Sequence, residues 1–233
     1  MFAYFFTIIA AAVTLSVFLR FRVGKELYKA IFFKAITSFL FMACAIVSFL
    51  SSGSTAFGIF QALIVLGLLC GLFGDLWLDL KNMHPEAKDV YQFIGMGSFL
   101  SSHLFFVPAL FLASGKAVGN LLFGVGFGIL FAVGVMVFEK PMKVHYGKYK
   151  LITFFYSLTI GASTGFSIIN FIKSGFAAQS LFLMVGMLCV ILSDIILSGT
   201  YFGEGKDRPV DIVSNHSLYY IGQFFVASAL LFA

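Results

Sequence analysis

The sequence predicts an all-α membrane protein with eight transmembrane helices. Three observations indicate this class: 61% of the 233 residues are hydrophobic, only 11% are charged, and the mean hydropathy is +1.03. Soluble domains carry about 25% charged residues. Apolar segments take up almost the whole chain and leave no room for a soluble domain. We therefore expect a single transmembrane domain over residues 1–233.

Eight apolar runs have the length of about 20 residues that spans a bilayer. In chain order, helices 1 to 8 are predicted at residues 2–19, 31–50, 56–78, 91–112, 118–138, 150–172, 177–199 and 214–232. The connections are short, so helices adjacent in sequence should pack as antiparallel neighbours. The first run has no basic residue before it and no small-residue cleavage site, so we expect a retained helix rather than a secretory signal.

Basic residues fall almost entirely on one side of this topology. Lys116 and Lys173 lie on one side, and thirteen lysines and arginines lie in or beside the loops after helices 1, 3, 5 and 7. The thirteen are Arg20, Arg22, Lys25, Lys29, Lys34, Lys81, Lys88, Lys140, Lys143, Lys148, Lys150, Lys206 and Arg208. Cytoplasmic loops are enriched in such residues. The bias predicts both termini outside the cytoplasm, in a plasma (inner) membrane if the source is bacterial, and it explains the net charge of +5 without a nucleic-acid partner.

Two aspartates, Asp75 and Asp194, lie inside apolar spans whose sequences match. In the aligned segments, Gly67, Leu69, Cys70, Asp75 and Leu78 match Gly186, Leu188, Cys189, Asp194 and Leu197. Halves of four helices enter the membrane in the same orientation, so the match predicts a parallel 4+4 internal repeat. An ionisable side chain in the hydrocarbon costs at least ~2.5 kcal/mol. The pair therefore indicates chemistry or transport.

Both aspartates are predicted about one turn from the cytoplasmic ends of helices 3 and 7, which suggests a cavity open to the cytoplasmic leaflet. Asp79 lies one turn beyond Asp75, where we expect a solvated helix end. His103 is deeper, in helix 4, and is placed to form the floor of the cavity. Further polar residues begin helices 2, 6 and 8 in the same leaflet: Lys34, Tyr156, Tyr219, Tyr220 and Gln223.

Each of these residues also has a purely structural interpretation. Lys34 can extend to the lipid headgroups, and paired tyrosines are common anchors at the membrane interface. His103 can be a hydrogen-bonded residue of the bundle core. The two aspartates can form a structural pair between helices.

Glycine-rich segments match enzyme motifs only in their letters. The run from Gly161 to Gly165 has the form G-x-S-x-G, but that motif requires a strand-to-helix turn, and here it lies within helix 6. Gly124, Gly126 and Gly128 in helix 5 complete no nucleotide-binding loop. We expect these small residues to allow close helix packing.

The cysteines and the remaining histidines have no spacing typical of disulfides or metal ligands, so we expect no metal site. They are Cys44, Cys70, Cys189, His84, His145 and His216.

Short motifs occur in order along the chain and together resemble one family. They are Lys34, Gly74-Asp75, the run from Phe93 to His103, Tyr156, Ser193-Asp194 with Phe202, and Tyr219-Tyr220-x-x-Gln223. Over essentially the whole chain they resemble the YhhN-type membrane proteins, the lysoplasmalogenase family. The resemblance implies an eight-helix protein that hydrolyses the vinyl ether bond of lysoplasmalogens, releasing a fatty aldehyde and a glycerophospho-ethanolamine or glycerophospho-choline. Asp79 departs from the family pattern, which has an apolar residue there.

The two aspartates suit this chemistry independently of the resemblance. Vinyl ether cleavage protonates the carbon–carbon double bond, forms an oxocarbenium ion, and adds water. Two carboxyl groups in a low-dielectric pocket do not both ionise easily, so one keeps a proton while the other stays charged. Glycosidases use such a pair. We therefore expect Asp75 and Asp194 to be catalytic, one as the acid and the other to stabilise the cation and activate water, with the assignment between them open.

The remaining polar residues are expected to bind the substrate, a lysophospholipid drawn from the membrane lipid. Lys34 is the candidate for the phosphate, and His103, Tyr156, Tyr219, Tyr220 and Gln223 are candidates for orienting the ether, the glycerol hydroxyl or water. No cofactor is expected, and the sequence indicates no oligomeric state.

A proton-coupled transporter is the main alternative function, because intramembrane carboxylates in a pseudo-symmetric bundle are also typical of transporters. Against it, both aspartates lie near one face, and no ionisable group beyond His103 continues a path across the membrane. A third interpretation is a receptor or assembly subunit in which the aspartates are structural.

Overall fold

The computed structural model describes residues 1–203 and 208–232, and these form eight long α-helices. The helices are α1 (Phe2–Val23), α2 (Leu27–Ser52), α3 (Ile59–Met83), α4 (Lys88–Ala113), α5 (Val118–Val137), α6 (Lys150–Lys173), α7 (Ala178–Phe202) and α8 (Pro209–Ser228). Short 3₁₀ turns precede α4 and α6 and follow α8. The all-α class is confirmed over the described residues. Lys206, one of the basic residues used to predict the orientation, lies outside them.

Seven of the described helices, α1 to α7, are long and apolar enough to cross a membrane. Their outer surfaces expose large apolar side chains, such as Phe2 and Leu130 at 87% and 72% exposure, as expected for contact with lipid. α8 is more polar because it carries side chains that are buried inside the bundle, among them His216 and Gln223. The eighth span and the orientation of the helices in the membrane stay predictions.

α3 and α7 extend beyond the predicted apolar runs at their C-terminal ends. α3 continues to Met83 and α7 to Phe202, because polar residues in the last turns do not end a helix whose backbone hydrogen bonds continue. Asp75 and Asp194 therefore each lie eight residues before the last residue of their helix, about two turns rather than one. Both aspartates lie deeper in the bundle than the sequence indicated.

Helices adjacent in sequence pack against each other, as predicted for short connections. The pairs α1 and α2, α3 and α4, α5 and α6, and α7 and α8 are in extensive contact. Between the halves, α4 packs on α6 and α2 packs on α8. The same set of pairings thus occurs in the first and the last four helices. The internal repeat in the sequence stays a prediction.

Glycines allow α5 and α6 to approach closely. A β-carbon at Gly128 would lie 2.6 Å from the carbonyl oxygen of Leu158 and 2.9 Å from the amide nitrogen of Ala162. A β-carbon at Gly126 would meet no atom within 4 Å, so the expected packing role is wrong for this residue. It is confirmed for four other glycines: Gly124, Gly128, Gly161 and Gly165.

Replacing Gly128 should destabilise the protein, whereas replacing Gly126 should not. The new methyl group of Gly128→Ala meets backbone atoms that cannot move aside, and such overpacking costs about 1–3 kcal/mol. Gly126→Ala places the same group in open space on the same helix. Melting temperatures in detergent measure the difference, and equal values for the two variants would contradict the close contact.

Candidate active site

Asp75 on α3 lies in a buried polar cluster built by three helices. Its Oδ2 accepts hydrogen bonds from Ser38 Oγ on α2 at 2.7 Å and from the Tyr219 hydroxyl on α8 at 2.9 Å. Its Oδ1 lies 3.5 Å from Lys34 Nζ, and the side chain of Asp75 is only 3% exposed. An ammonium and two hydroxyl donors together stabilise the ionised carboxylate.

Lys34 pairs with two carboxylates rather than one. Its Nζ lies 3.3 Å from Oδ2 of Asp79 and 3.5 Å from Oδ1 of Asp75, and both aspartates are buried. The expected solvated helix end at Asp79 is therefore wrong. The reason is that α3 does not end near residue 78 but continues past Asp79, which keeps this side chain inside the bundle. Lys34 does not extend to the headgroups, because it is 4% exposed.

Asp194 on α7 has a different environment from Asp75. Its Oδ2 accepts a hydrogen bond from the Tyr156 hydroxyl on α6. Within residues 1–203 and 208–232, no lysine, arginine or histidine forms an ion pair with Asp194. Its side chain is partly buried and lines two cavities. Asp75 is held by a cation, whereas Asp194 is held by a neutral donor.

The two aspartates meet at a small polar cavity. Its volume is about 20 Å³, and both carboxyl-bearing side chains line it together with Lys34, Tyr219 and His216. A cavity must offer roughly 10–15 Å³ of this kind of space to hold one water molecule. The polar cavity therefore has room for a single water between Asp75 and Asp194.

A second, apolar cavity adjoins the polar one. It has a volume of about 90 Å³, and most of its wall is formed by apolar side chains of α3 to α7. The two cavities share five residues in their walls: Leu78, Phe99, Asp194, Leu197 and Tyr201. Asp194 is the one carboxyl residue that lines both among the described residues. It thus lies where a water-sized polar site meets an apolar one.

The loop between α5 and α6, residues 138–149, covers the apolar cavity and is tied to α7. Tyr146 lies in the cavity wall, and its hydroxyl is 2.9 Å from Ser198 Oγ. Glu139 accepts the backbone N–H of Tyr146 at 3.2 Å and pairs with Lys150 at 2.7 Å. The hydrogen bond from the Lys150 ammonium lowers the pKa of Glu139, so this carboxylate stays ionised at neutral pH. These contacts hold the loop over the cavity.

Three of the predicted site residues line neither cavity. His103 lies behind Tyr156, with the two rings in edge contact at 5.7 Å, and its Nδ1 is 3.1 Å from Ser163 Oγ. The Tyr220 hydroxyl is 2.9 Å from Ser38 Oγ. Gln223 is buried, and its Oε1 has no hydrogen-bond partner among the described residues. His103 and Tyr220 therefore contact the residues that bond the aspartates rather than the cavity itself.

Several residues of the site were not predicted from the sequence, among them Ser38, which bonds Asp75. His216 lines the polar cavity, and Tyr201 lines both cavities. Helical spacing contained a signal for each, because His216 lies three residues before Tyr219 and Tyr201 lies seven residues after Asp194. Lys81, predicted in a loop region, is buried with its Nζ 3.0 Å from the centre of the Tyr201 ring. No group of three or more histidine, cysteine or acidic residues in the described part of the chain is arranged to hold a metal ion.

The fold and the site define a helical membrane protein with paired carboxyl groups at an interior cavity, and comparison with known families gives a more specific assignment. The model of the YhhN family matches residues 29–230, nearly the whole chain. The chain therefore belongs to the YhhN family, and the resemblance seen in the sequence is confirmed. No curated protein and no solved structure matches it.

Replacing Lys34 should destabilise the protein strongly, because Lys34→Gln removes the ammonium that pairs with two buried carboxylates. Breaking a buried ion pair from one side costs about 3–5 kcal/mol. The exposed Lys29 on the same helix, which pairs with Glu26 just before the helix begins, serves as the control, and Lys29→Gln should cost less than about 1 kcal/mol. Unfolding in detergent measures both changes.

The ion pair between Lys34 and Asp79 predicts the stability of a double variant. The double variant Lys34→Gln/Asp79→Asn should be less destabilised than the sum of the single variants, because removing Asp79 removes one of the stranded charges. Strictly additive losses would contradict a direct ion pair between these two side chains.

Proposed function

We propose that this protein is a membrane hydrolase that cleaves the vinyl ether bond of 1-alkenyl lysophospholipids. Its membership of the YhhN family is consistent with this function. The observation that carries the proposal is the position of Asp194, in the wall shared by the apolar cavity and the water-sized polar cavity. Vinyl ether hydrolysis requires a proton donor beside the alkenyl carbon that is not bonded to oxygen, and a water molecule that can reach the adjacent ether carbon. The two adjoining cavities offer both.

Asp194 is assigned the role of proton donor. Among the described residues it has no cationic partner and faces a largely apolar cavity. An uncharged carboxyl group costs far less to hold in such surroundings than a carboxylate does. A protonated Asp194 is therefore suited to transfer its proton to the alkenyl carbon that is not bonded to oxygen, which leaves an oxocarbenium ion at the ether carbon.

Asp75 is assigned the role of the anion. Lys34, Ser38 and Tyr219 all stabilise its charged form. A fixed negative charge across the polar cavity favours the oxocarbenium ion as it develops. Asp75 also accepts a hydrogen bond from the water that attacks this ion, which orients the water toward the ether carbon.

The remaining steps balance the reaction. Water adds to the oxocarbenium ion and gives up one proton, so that a neutral hemiacetal forms and the acid is restored. The hemiacetal then breaks its bond to the glycerol oxygen, which leaves with a proton, and the alkenyl chain departs as a fatty aldehyde. One water is consumed for each ether bond, and no oxidant or reductant is needed.

Other side chains of the site are assigned to orientation. Tyr156 and Tyr219 donate to the two aspartates, and His216 lies in the wall of the polar cavity. His103 contacts Tyr156 and Tyr220 bonds Ser38 from behind, and Gln223 stays a candidate for orienting the substrate. The ammonium of Lys34 already forms ion pairs with Asp75 and Asp79. The expected contact between Lys34 and the substrate phosphate stays a prediction. We expect the substrate to come from the cytoplasmic leaflet.

Aldehyde release from 1-alkenyl-lysophosphatidylethanolamine by the purified protein in detergent tests the proposal. Wild-type protein should release aldehyde and leave a 1-acyl lysolipid intact. Asp75→Asn and Asp194→Asn should each lower the rate by roughly 100- to 10,000-fold, the usual contribution of a positioned acid or base.

Asp89 provides a matched control for these variants. It is an exposed carboxylate that bonds Lys148 and Tyr149 outside both cavities, so Asp89→Asn should retain activity. All variants must first be shown to fold, by a cooperative melting transition in detergent. A folded wild-type protein that releases no aldehyde from the ethanolamine or choline lipid would refute the proposal, and proton flux in liposomes would then test the transporter.

The pH dependence of the rate distinguishes the two aspartates. A proton donor acts only when it is protonated, so the wild-type rate should fall as the pH rises. Asp75→Asn should be slower at every pH but keep this fall. Asp194→Asn should lose it, because the titrating group is gone. If the fall disappears in Asp75→Asn instead, the assigned roles are reversed.

A further inference from the structure

A groove on the outer surface of the bundle runs between α5 and α7. Its volume is about 400 Å³, and its walls consist of apolar side chains and one glycine. The groove exists because α5 packs mainly against α6 and makes no extensive contact with α7. Side chains such as Leu130, which is 72% exposed, mark this surface as one that contacts lipid.

The groove adjoins the apolar cavity of the active site. Phe131, Val135, Met142 and Ile195 line both. The apolar cavity in turn shares Asp194 with the polar cavity. Three spaces therefore follow one another, from the outer surface of the bundle to the carboxyl groups, and their polarity increases in that direction.

We propose that the groove between α5 and α7 is the portal through which the hydrocarbon chain of a single-chain lipid passes sideways from the bilayer into the active site. The proposal rests on the proposed function and specifies how its substrate binds. The occupant is hydrocarbon because the walls of the groove offer almost no polar surface, and a headgroup there would lose its hydrogen bonds with water.

The portal explains why the vinyl ether bond of the substrate comes to lie beside Asp194. A chain that extends outward through the cavity and the groove stays among apolar side chains along its length. The ether oxygen and the glycerol portion follow at the inner end, where Asp194 and the polar cavity begin. The position of the vinyl ether is thus set by the boundary between apolar and polar walls.

A second surface groove provides an internal comparison. It lies between α1, α7 and α8, also has a volume of about 400 Å³, and is similarly apolar. None of the residues that line it lines either interior cavity. If lipid chains only covered apolar surface, they would occupy both grooves. A portal requires a lipid chain in the α5–α7 groove only.

Photolabelling tests the portal without relying on catalysis. The probe is a non-hydrolysable 1-O-alkyl lysophosphatidylethanolamine with a diazirine in its chain, added to wild-type protein in lipid nanodiscs. We expect labels on Phe131, Val135, Met142 or Ile195 that excess unlabelled alkyl lysolipid displaces. The proposal would be overturned if the competitor displaced labels only in the second groove, between α1, α7 and α8. It would also be overturned if the competitor did not lower the amount of labelling.

Two glycines of α5 allow a matched obstruction experiment. Gly134 lines the groove and Gly126 does not, and a β-carbon at either would meet no atom within 4 Å. Gly134→Trp should lower kcat/KM for the long-chain substrate by at least about tenfold but leave a short-chain alkenyl analogue unaffected. Gly126→Trp should behave as wild type with both substrates.

The outcomes separate this proposal from the proposed function. Equal long-chain hydrolysis and equal labelling in the two tryptophan variants would overturn the portal and leave the hydrolase intact. A wild-type protein that releases no aldehyde would refute the hydrolase, and displaceable labelling of the α5–α7 groove would still support a lipid portal.

Discussion

The polar interior depends on the buried contact of Lys34 with Asp75 and Asp79. A single ammonium on α2 lies within 3.5 Å of two carboxylates on α3, in a region where an unpaired charge would cost several kcal/mol. The pairing stabilises the ionised form of Asp75 and joins the adjoining turns of α2 and α3. Ser38 and Tyr219 then complete the shell of Asp75 from α2 and α8. Without this cation, Asp75 in the wall of the polar cavity and Asp79 nearby would both lose the ammonium that pairs with them.

The two catalytic candidates illustrate how environment separates chemically identical groups. Asp75 and Asp194 lie in matching sequences and at matching distances from the ends of α3 and α7. Among the residues that the structure describes, Asp75 has an ammonium partner, whereas Asp194 has the neutral hydroxyl of Tyr156. In the proposed mechanism this difference separates the acid from the anion, in the way that glycosidases divide these roles between two carboxyl groups.

The apolar part of the site follows from how the helices around it pack. Close contacts at glycines such as Gly128 hold α5 against α6, and this leaves α5 apart from α7. The gap becomes the outer groove, and the loop held by Glu139 and Tyr146 covers the cavity behind it. An apolar cavity and a water-sized polar cavity thus meet at Asp194.

The sequence by itself determined the all-α class, the approximate helix positions, the YhhN family, and the candidate aspartates. The class and the helix positions follow from local composition, since hydropathy and run length require no knowledge of neighbouring helices. The family follows from short motifs in order along the chain, and the aspartates follow from two matching segments. Only the tertiary structure decided that Asp79 is buried, that Tyr201 and His216 line the site, and that Lys34 is held by two carboxylates. Such contacts depend on helix rotation and join distant segments, as in the bond between Tyr219 and Asp75 across 144 residues. Local sequence patterns do not specify which faces of distant helices meet.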